Sequence, residues 1–202
     1  MRALGAILTL VALSGCSYRF GGNVHTTGRL DHRFGMTSFG GNIDVDDAPK
    51  GAHLRSFGGN VRIGASSGSV VATSYGGAIA IESLESDASL RSFGGSVDVQ
   101  LADESPLDGR NVSITAYGGD VTLRVPRDFA GSIDVRVRMR PSRADDYEIE
   151  SDFPLAETTR GVRGASTLFR PRAERRMIGH IGEGRDRIFV RTEEGNVRLV
   201  AS

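Results

Sequence analysis

Apolar and polar positions alternate along this chain in short runs that return at a fixed interval. "LRSFGGNVRI" at 54–63 is echoed by "MTSFGGNIDV" at 36–45, "ATSYGGAIAI" at 72–81, "LRSFGGSVDV" at 90–99 and "ITAYGGDVTL" at 114–123. After each glycine pair an apolar couple stands two residues apart: Ile43/Val45, Val61/Ile63, Ile79/Ile81, Val97/Val99, Val121/Leu123. The residues between them (Asp44, Arg62, Ala80, Asp98, Thr122) vary freely, as solvent-facing positions do. Period-two alternation predicts a half-buried strand. A second strand precedes each aromatic, with Met36, Leu54, Ala72, Leu90 and Ile114 inward and Thr37, Arg55, Thr73, Arg91 and Thr115 outward.

The aromatics Phe39, Phe57, Tyr75 and Phe93 stand 18 residues apart; Tyr117 follows after 24, and Phe20 precedes by 19. A period of this size marks a solenoid in which each repeat is one coil. No helical pattern competes in residues 20–140, so the sequence predicts an all-β, single-domain parallel β-helix with about 18 residues per coil. Unbroken alternation from Leu54 would point Ser56 inward and Val61 outward, so one residue is absorbed between the strands. The pairs Gly40–Gly41, Gly58–Gly59, Gly76–Gly77, Gly94–Gly95 and Gly118–Gly119 are expected to supply the unusual backbone angles of that corner. Asn23, Asn42, Asn60, Ala78, Ser96 and Asp120 follow the glycines, where stacked polar groups can hydrogen-bond along the axis. The aromatics form a ladder along one edge, either a structural stack or a strip for ligands such as sugar rings.

Two coils are longer. "QLADESPLDGRN" before Val112 and "RVPRDFAGS" before Ile133 read as corner insertions that project from one face. Residues 141–202 read as an irregular polar segment and a closing two-strand coil, "RIFVRTEEGNVRLV", that caps the open end of the same domain.

Composition narrows the classes. The 202-residue chain has an ordinary hydrophobic share of 39%, 27 glycines for its turns, and a formal charge of zero. That balance gives no global pull toward nucleic acid. With one cysteine, no internal disulfide is available, so packing alone must hold the fold.

That cysteine closes a recognisable leader. "MRALGAILTLVALSGCS" has a basic start at Arg2, an apolar run over 3–13 and "LSGC" at 13–16. It resembles the lipobox of bacterial lipoproteins. The resemblance implies a signal peptide over 1–15, cleavage behind Gly15, lipid attachment at Cys16 and a short tether over 16–19 before the coils of 20–140. Ser17, where an Asp would signal inner-membrane retention, implies an outer-membrane destination.

The repeated Gly-polar-Val-x-Val phrase, "SDFP" at 151–154 and "IGEGRDRIFVRTEEGNVRL" at 181–199 resemble an adhesin-like family of bacterial β-solenoid domains of unknown function. The resemblance covers about residues 20–200 and implies a solenoid, usually right-handed. The family more often writes a single Ser-Gly-Asp corner, so the aromatic-Gly-Gly corner is a departure. It brings no catalytic or binding residues.

The remaining chemistry is sparse. Calcium-binding β-helices need glycine where Ile43 stands and a nine-residue period. Glycan lyases and hydrolases need carboxylates converging on a groove, and Asp44, Arg62, Ala80, Asp98 and Thr122 do not concentrate them. His25, His32, His53 and His180 lack ligand spacing, and "GHIGEG" at 179–184 precedes a strand, unlike a phosphate loop. Arginines dominate 160–191 and recur at 136, 138, 140 and 143. They suit either an anionic surface such as lipopolysaccharide or lipid headgroups, or a solvated cap with partners such as Glu174 and Asp186.

The sequence thus predicts a lipid-anchored, non-catalytic envelope scaffold or adhesin-like binding surface. It needs no cofactor or metal. Its expected partners are the membrane, envelope glycan, lipopolysaccharide or an envelope protein. A glycan-binding or glycan-cleaving β-helix is the alternative, and self-association through exposed coil ends is a third reading.

Overall fold

The computed structural model describes residues 8–9, 16–30, 32–143, 145–162 and 172–202. The rest of the expected leader lies outside them. Two sheets supply one apolar interior. Sheet A contains, in chain order, β1 Leu8–Thr9, β3 Val24–Arg29, β5 Ile43–Asp47, β7 Val61–Ser66, β9 Ile79–Leu84, β11 Val97–Leu101, β13 Val121–Val125, β15 Ile149–Ser151 and β19 Val197–Ala201. Sheet B contains β2 Cys16–Arg19, β4 Phe34–Ser38, β6 Ala52–Ser56, β8 Val70–Ser74, β10 Ala88–Ser92, β12 Asn111–Tyr117, β14 Gly131–Met139, β16 Ala156–Val162, β17 Arg172–Ile181 and β18 Asp186–Glu193. From β1 to β16 the chain passes from one sheet to the other between successive strands, as in a β-helix or solenoid.

Parallel pairing turns each repeated phrase into a rung. Ile43 lies opposite Val61, Val61 opposite Ile79, Ile79 opposite Val97, and Val97 opposite Val121. All five are buried, as are Met36, Leu54, Ala72, Leu90 and Ile114 from sheet B. Burial of each Val, Ile or Leu contributes about 1.5–3 kcal/mol, and no disulfide is needed to hold the stack. The first insertion projects as expected: Leu107 is fully exposed, while Arg110 at its base is buried.

The C-terminal third departs from the expectation. The segment that reads as irregular carries three strands, β15, β16 and β17. β17 runs antiparallel to both β14 and β16, so sheet B is only mostly parallel. The last coil does not sit at the end of the stack. β18 lies between β12 and β14, and β19 lies between β13 and β15. Its inward residues Ile188, Val190 and Thr192 face Val112, Ile114 and Ala116 on one side and Ile133, Val135 and Val137 on the other. Hydrophobic period identifies which side chains turn inward but not the order of rungs, which is why the intercalation is invisible in sequence. Residues 16–19, expected as a tether, form β2 and pair with β4 in register Cys16↔Gly35. Among the described residues there is no α-helix, only a 3-10 turn at Pro141–Arg143.

Candidate functional site

The repeated corner assembles four stacked columns. The outermost is aromatic. Phe20, Phe39, Phe57, Tyr75, Phe93 and Tyr117 stack with centroid spacings of 4.6, 5.0, 4.8, 4.9 and 5.0 Å. The ring planes lie within 9° of parallel. Phe39, Phe57, Tyr75 and Phe93 are each about 40% exposed, against 82% for Phe20. Since neighbours cover both faces of the middle rings, their solvent exposure is edge-on. A sugar stacks on a ring face, where the π density lies. Phe20 and Tyr117, at the two ends, each have one described ring neighbour, so the middle of the ladder is a poor sugar platform.

Just inside the ladder runs a serine column that sequence reasoning missed. Ser38, Ser56, Ser74 and Ser92 are fully buried. Their Oγ atoms accept from the backbone N–H of Gly41, Gly59, Gly77 and Gly95 at 3.0–3.1 Å. Ser38 Oγ also donates to the Gly41 carbonyl at 2.8 Å, and Ser92 Oγ to that of Gly95 at 2.6 Å. The signal was a Ser before four of the aromatics, at the inward phase of the alternation.

The glycines are required for a reason other than the expected one. Gly40, Gly41, Gly58, Gly59, Gly76, Gly77, Gly94 and Gly95 do not adopt positive φ; in the five pairs only Gly118 does, at 89°. Instead, a Cβ on Gly59 would fall on the carbonyl of Gly41, and one on Gly41, Gly77, Gly95 or Gly119 would likewise meet the backbone of the coil below. A Cβ on Gly58 would have its nearest neighbour at 3.7 Å. Close backbone stacking demands the second glycine of each pair. The polar column beyond it behaves as expected: Asn23, Asn42 and Asn60 each accept, through Oδ1, the backbone N–H of the matching residue one coil on, at 2.8–3.0 Å. Asp120 does the same for Asn196 at 2.7 Å.

The outer face of sheet A is a lattice of opposite charges. Arg62 pairs with Glu82, Arg124 with Asp98, and Arg198 with Glu150. His25 Nδ1 lies 3.1 Å from Asp44 and its Nε2 lies 3.9 Å from Asp46. This trio is the one group of three potential metal ligands that converges among the described residues. The two ring nitrogens address different carboxylates, of which only Asp44 lies within hydrogen-bonding distance. Stacking brings these residues together, so no ligand spacing within one stretch could have revealed them.

At the far end of sheet A, Asp120, Asp145, Asp146, Glu148 and Glu150 line a cleft of about 400 Å³ with Asn196 and Arg198. All five carboxylates are exposed, and Asp120 and Glu150 already serve Asn196 and Arg198. Glycan cleavage calls for a carboxyl held in an apolar enclosure so that it can act as an acid. None of the five has one.

The arginine-rich segment largely finds local partners. Asp134 bridges Arg136 and Arg176, each with a contact of 2.7 Å, and Glu174 takes Arg138 at 2.7 Å. Burial raises the Asp134 carboxyl, but hydrogen bonds and charge from the two guanidiniums outweigh it and hold the group at about 2. Arg140 pairs with Glu194. The expected acid Asp186 instead serves Arg110, with both side chains buried. Residues 163–171 of that segment lie outside the described residues.

No family model, curated protein or solved structure matches this chain.

Proposed function

We propose that this protein is a lipid-anchored, non-catalytic β-solenoid of the bacterial cell envelope, right-handed, with about 18 residues per coil. It acts as an adhesin-like binding surface or scaffold, held at the outer membrane through Cys16. The observation that carries the reading is the uniform corner. Aromatic, serine, glycine and asparagine columns all serve to stack one coil on the next, which is how a scaffold is built. The exposed carboxylates of the acidic cleft and the covered faces of the aromatic ladder support this reading over glycan cleavage or sugar stacking. The lipobox-like residues at 13–16 support the anchor, and cleavage behind Gly15 would remove β1 while leaving β2 as the first strand of sheet B. Two lipid chains suffice for stable anchoring.

Labelling cells with radioactive palmitate tests the anchor. The wild-type chain should incorporate label and fractionate with outer membranes, and Cys16→Ser should lose both. Palmitate retained by Cys16→Ser would refute it. A pull-down from intact envelopes then identifies the partner of the binding surface, and an array of neutral glycans is expected to stay silent.

A further inference from the structure

Sheet B carries a second row beside the aromatic ladder. Pairing sets Thr37, Arg55, Thr73, Arg91 and Thr115 in one line across the strands. The line continues through Arg191, Arg136 and Arg176, which the intercalated coil and the antiparallel strand bring into the same register. Five arginines from distant parts of the chain thus share one straight row.

The first part of this row, Arg55 and Arg91, is not neutralised as sheet A is; farther on, Arg136 and Arg176 share Asp134, and Arg191 pairs with Glu193 at 2.8 Å. From β4 to β12 the outward positions of sheet B hold no carboxylate. Arg55 and Arg91 are exposed and make no ion pair among the described residues. Two rungs separate them, about 10 Å. Across β4 to β12 charge is thus segregated, with Asp44, Glu82 and Asp98 on sheet A and no carboxylate on the outward face of sheet B.

We propose that this face of sheet B docks flat on an anionic lipid surface. Arg55 and Arg91 meet headgroup phosphates, and the exposed edges of Phe39, Phe57, Tyr75 and Phe93 settle at the interface beside them. A guanidinium presents a planar fork of donors that matches phosphate oxygens. Basic side chains near a bilayer surface are drawn to anionic lipid. The adjoining ring edges supply apolar area on the same side, the combination an interfacial surface uses. β2, which begins at Cys16, is a strand of this same sheet, so an anchor there would tether sheet B at the bilayer. The docking rests on the envelope reading for its bilayer, but its test uses a chain that cannot be lipidated, so the two fail separately.

The test is co-sedimentation of the full chain carrying Cys16→Ser with vesicles of phosphatidylglycerol and phosphatidylcholine in equal parts, and with phosphatidylcholine alone. Binding should require phosphatidylglycerol and weaken with salt. Adding Arg55→Ser and Arg91→Ser should lower the partition coefficient by about thirty-fold, with the thermal midpoint unchanged. The matched pair Arg62→Ser and Arg198→Ser on sheet A should leave it unaltered. Equal binding to phosphatidylcholine, undiminished binding by the Arg55/Arg91 variant, or an equal loss from the sheet A variant overturns the proposal. Tighter binding of soluble dextran sulfate through the same arginines would assign the face to a soluble polyanion and overturn bilayer docking.

Discussion

Asp186 holds Arg110 twice: Oδ1 accepts the Arg110 backbone amide at 2.9 Å and Oδ2 accepts its Nε at 2.7 Å. The Arg110 Nη1 in turn donates to the carbonyls of Leu84 and Ala102 at 3.1 and 2.8 Å. This buried pair fastens the base of the projecting loop to the first residue of β18. Removing one partner strands a charge in the interior. Asp186→Ala is therefore expected to cost about 3–5 kcal/mol in urea unfolding. Arg110→Met combined with Asp186→Leu should recover much of that loss, since replacing both partners by apolar groups leaves no orphaned charge. A double variant no better than Asp186→Ala would contradict the account.

The glycine pairs make a sharp within-pair contrast. Gly59→Ala places a methyl against the Gly41 carbonyl, whereas Gly58→Ala meets nothing nearer than 3.7 Å. Gly59→Ala should lower stability by about 2 kcal/mol or more, and Gly58→Ala should change it by less than about 0.5 kcal/mol. Thermal melts of the two variants decide it. Equal losses would rule out the approach to the Gly41 carbonyl as the reason for the second glycine.

The ladder should be cooperative along its length. Phe57 has a stacked neighbour on each side, at 5.0 and 4.8 Å, while Phe20 has a single described one at 4.6 Å. At about 0.5–1.5 kcal/mol per aromatic pair, Phe57→Ala should cost about 1–3 kcal/mol and Phe20→Ala no more than about half as much. Chemical denaturation of both variants is the check, and a larger loss at Phe20 would be the contrary result.

Asp134 gives an acid-dependent prediction. Its carboxyl is held at about 2 in the folded chain, below the ordinary value of 3.8. A depressed carboxylate stabilises the fold above its unfolded value, and that stabilisation fades as pH falls toward the folded one. After allowance for solvent screening it is worth about 1–2 kcal/mol. Asp134→Asn should be less stable than wild type at pH 6, with the two curves converging toward pH 2. Stability curves that stay parallel down to acid would dismiss the Arg136–Asp134–Arg176 bridge as a contributor.

Parallel stacking explains why so much of the architecture could be read from sequence. Repetition along the chain becomes adjacency in space, so the recurrence of Val61, Ile79 and Val97 at one offset already names three neighbours in the interior. The same logic reached the Asn23–Asn42–Asn60 column. It failed where contacts do not repeat. The position of Ile188 between Val112 and Ile133 depends on a long return of the chain. β17 gave no clear alternation, because Met177 is half-buried while its neighbour Ile178 is exposed. The arginine row was half legible, since Arg55 and Arg91 obey the repeat but Arg191, Arg136 and Arg176 join it only through the tertiary order of strands. Ser56 was correctly pointed inward, yet its partner, the Gly59 amide, required the turn itself.

β14 finds both of its strand neighbours, β17 and β18, in chain that follows it. A chain that emerges N-terminus first could wind its early turns at once, but it would hold Ile133, Val135 and Val137 unmatched until the later stretch emerged. Closure of this end thus waits for the tail, and a chain interrupted before Asp186 would leave β14 without its parallel partner.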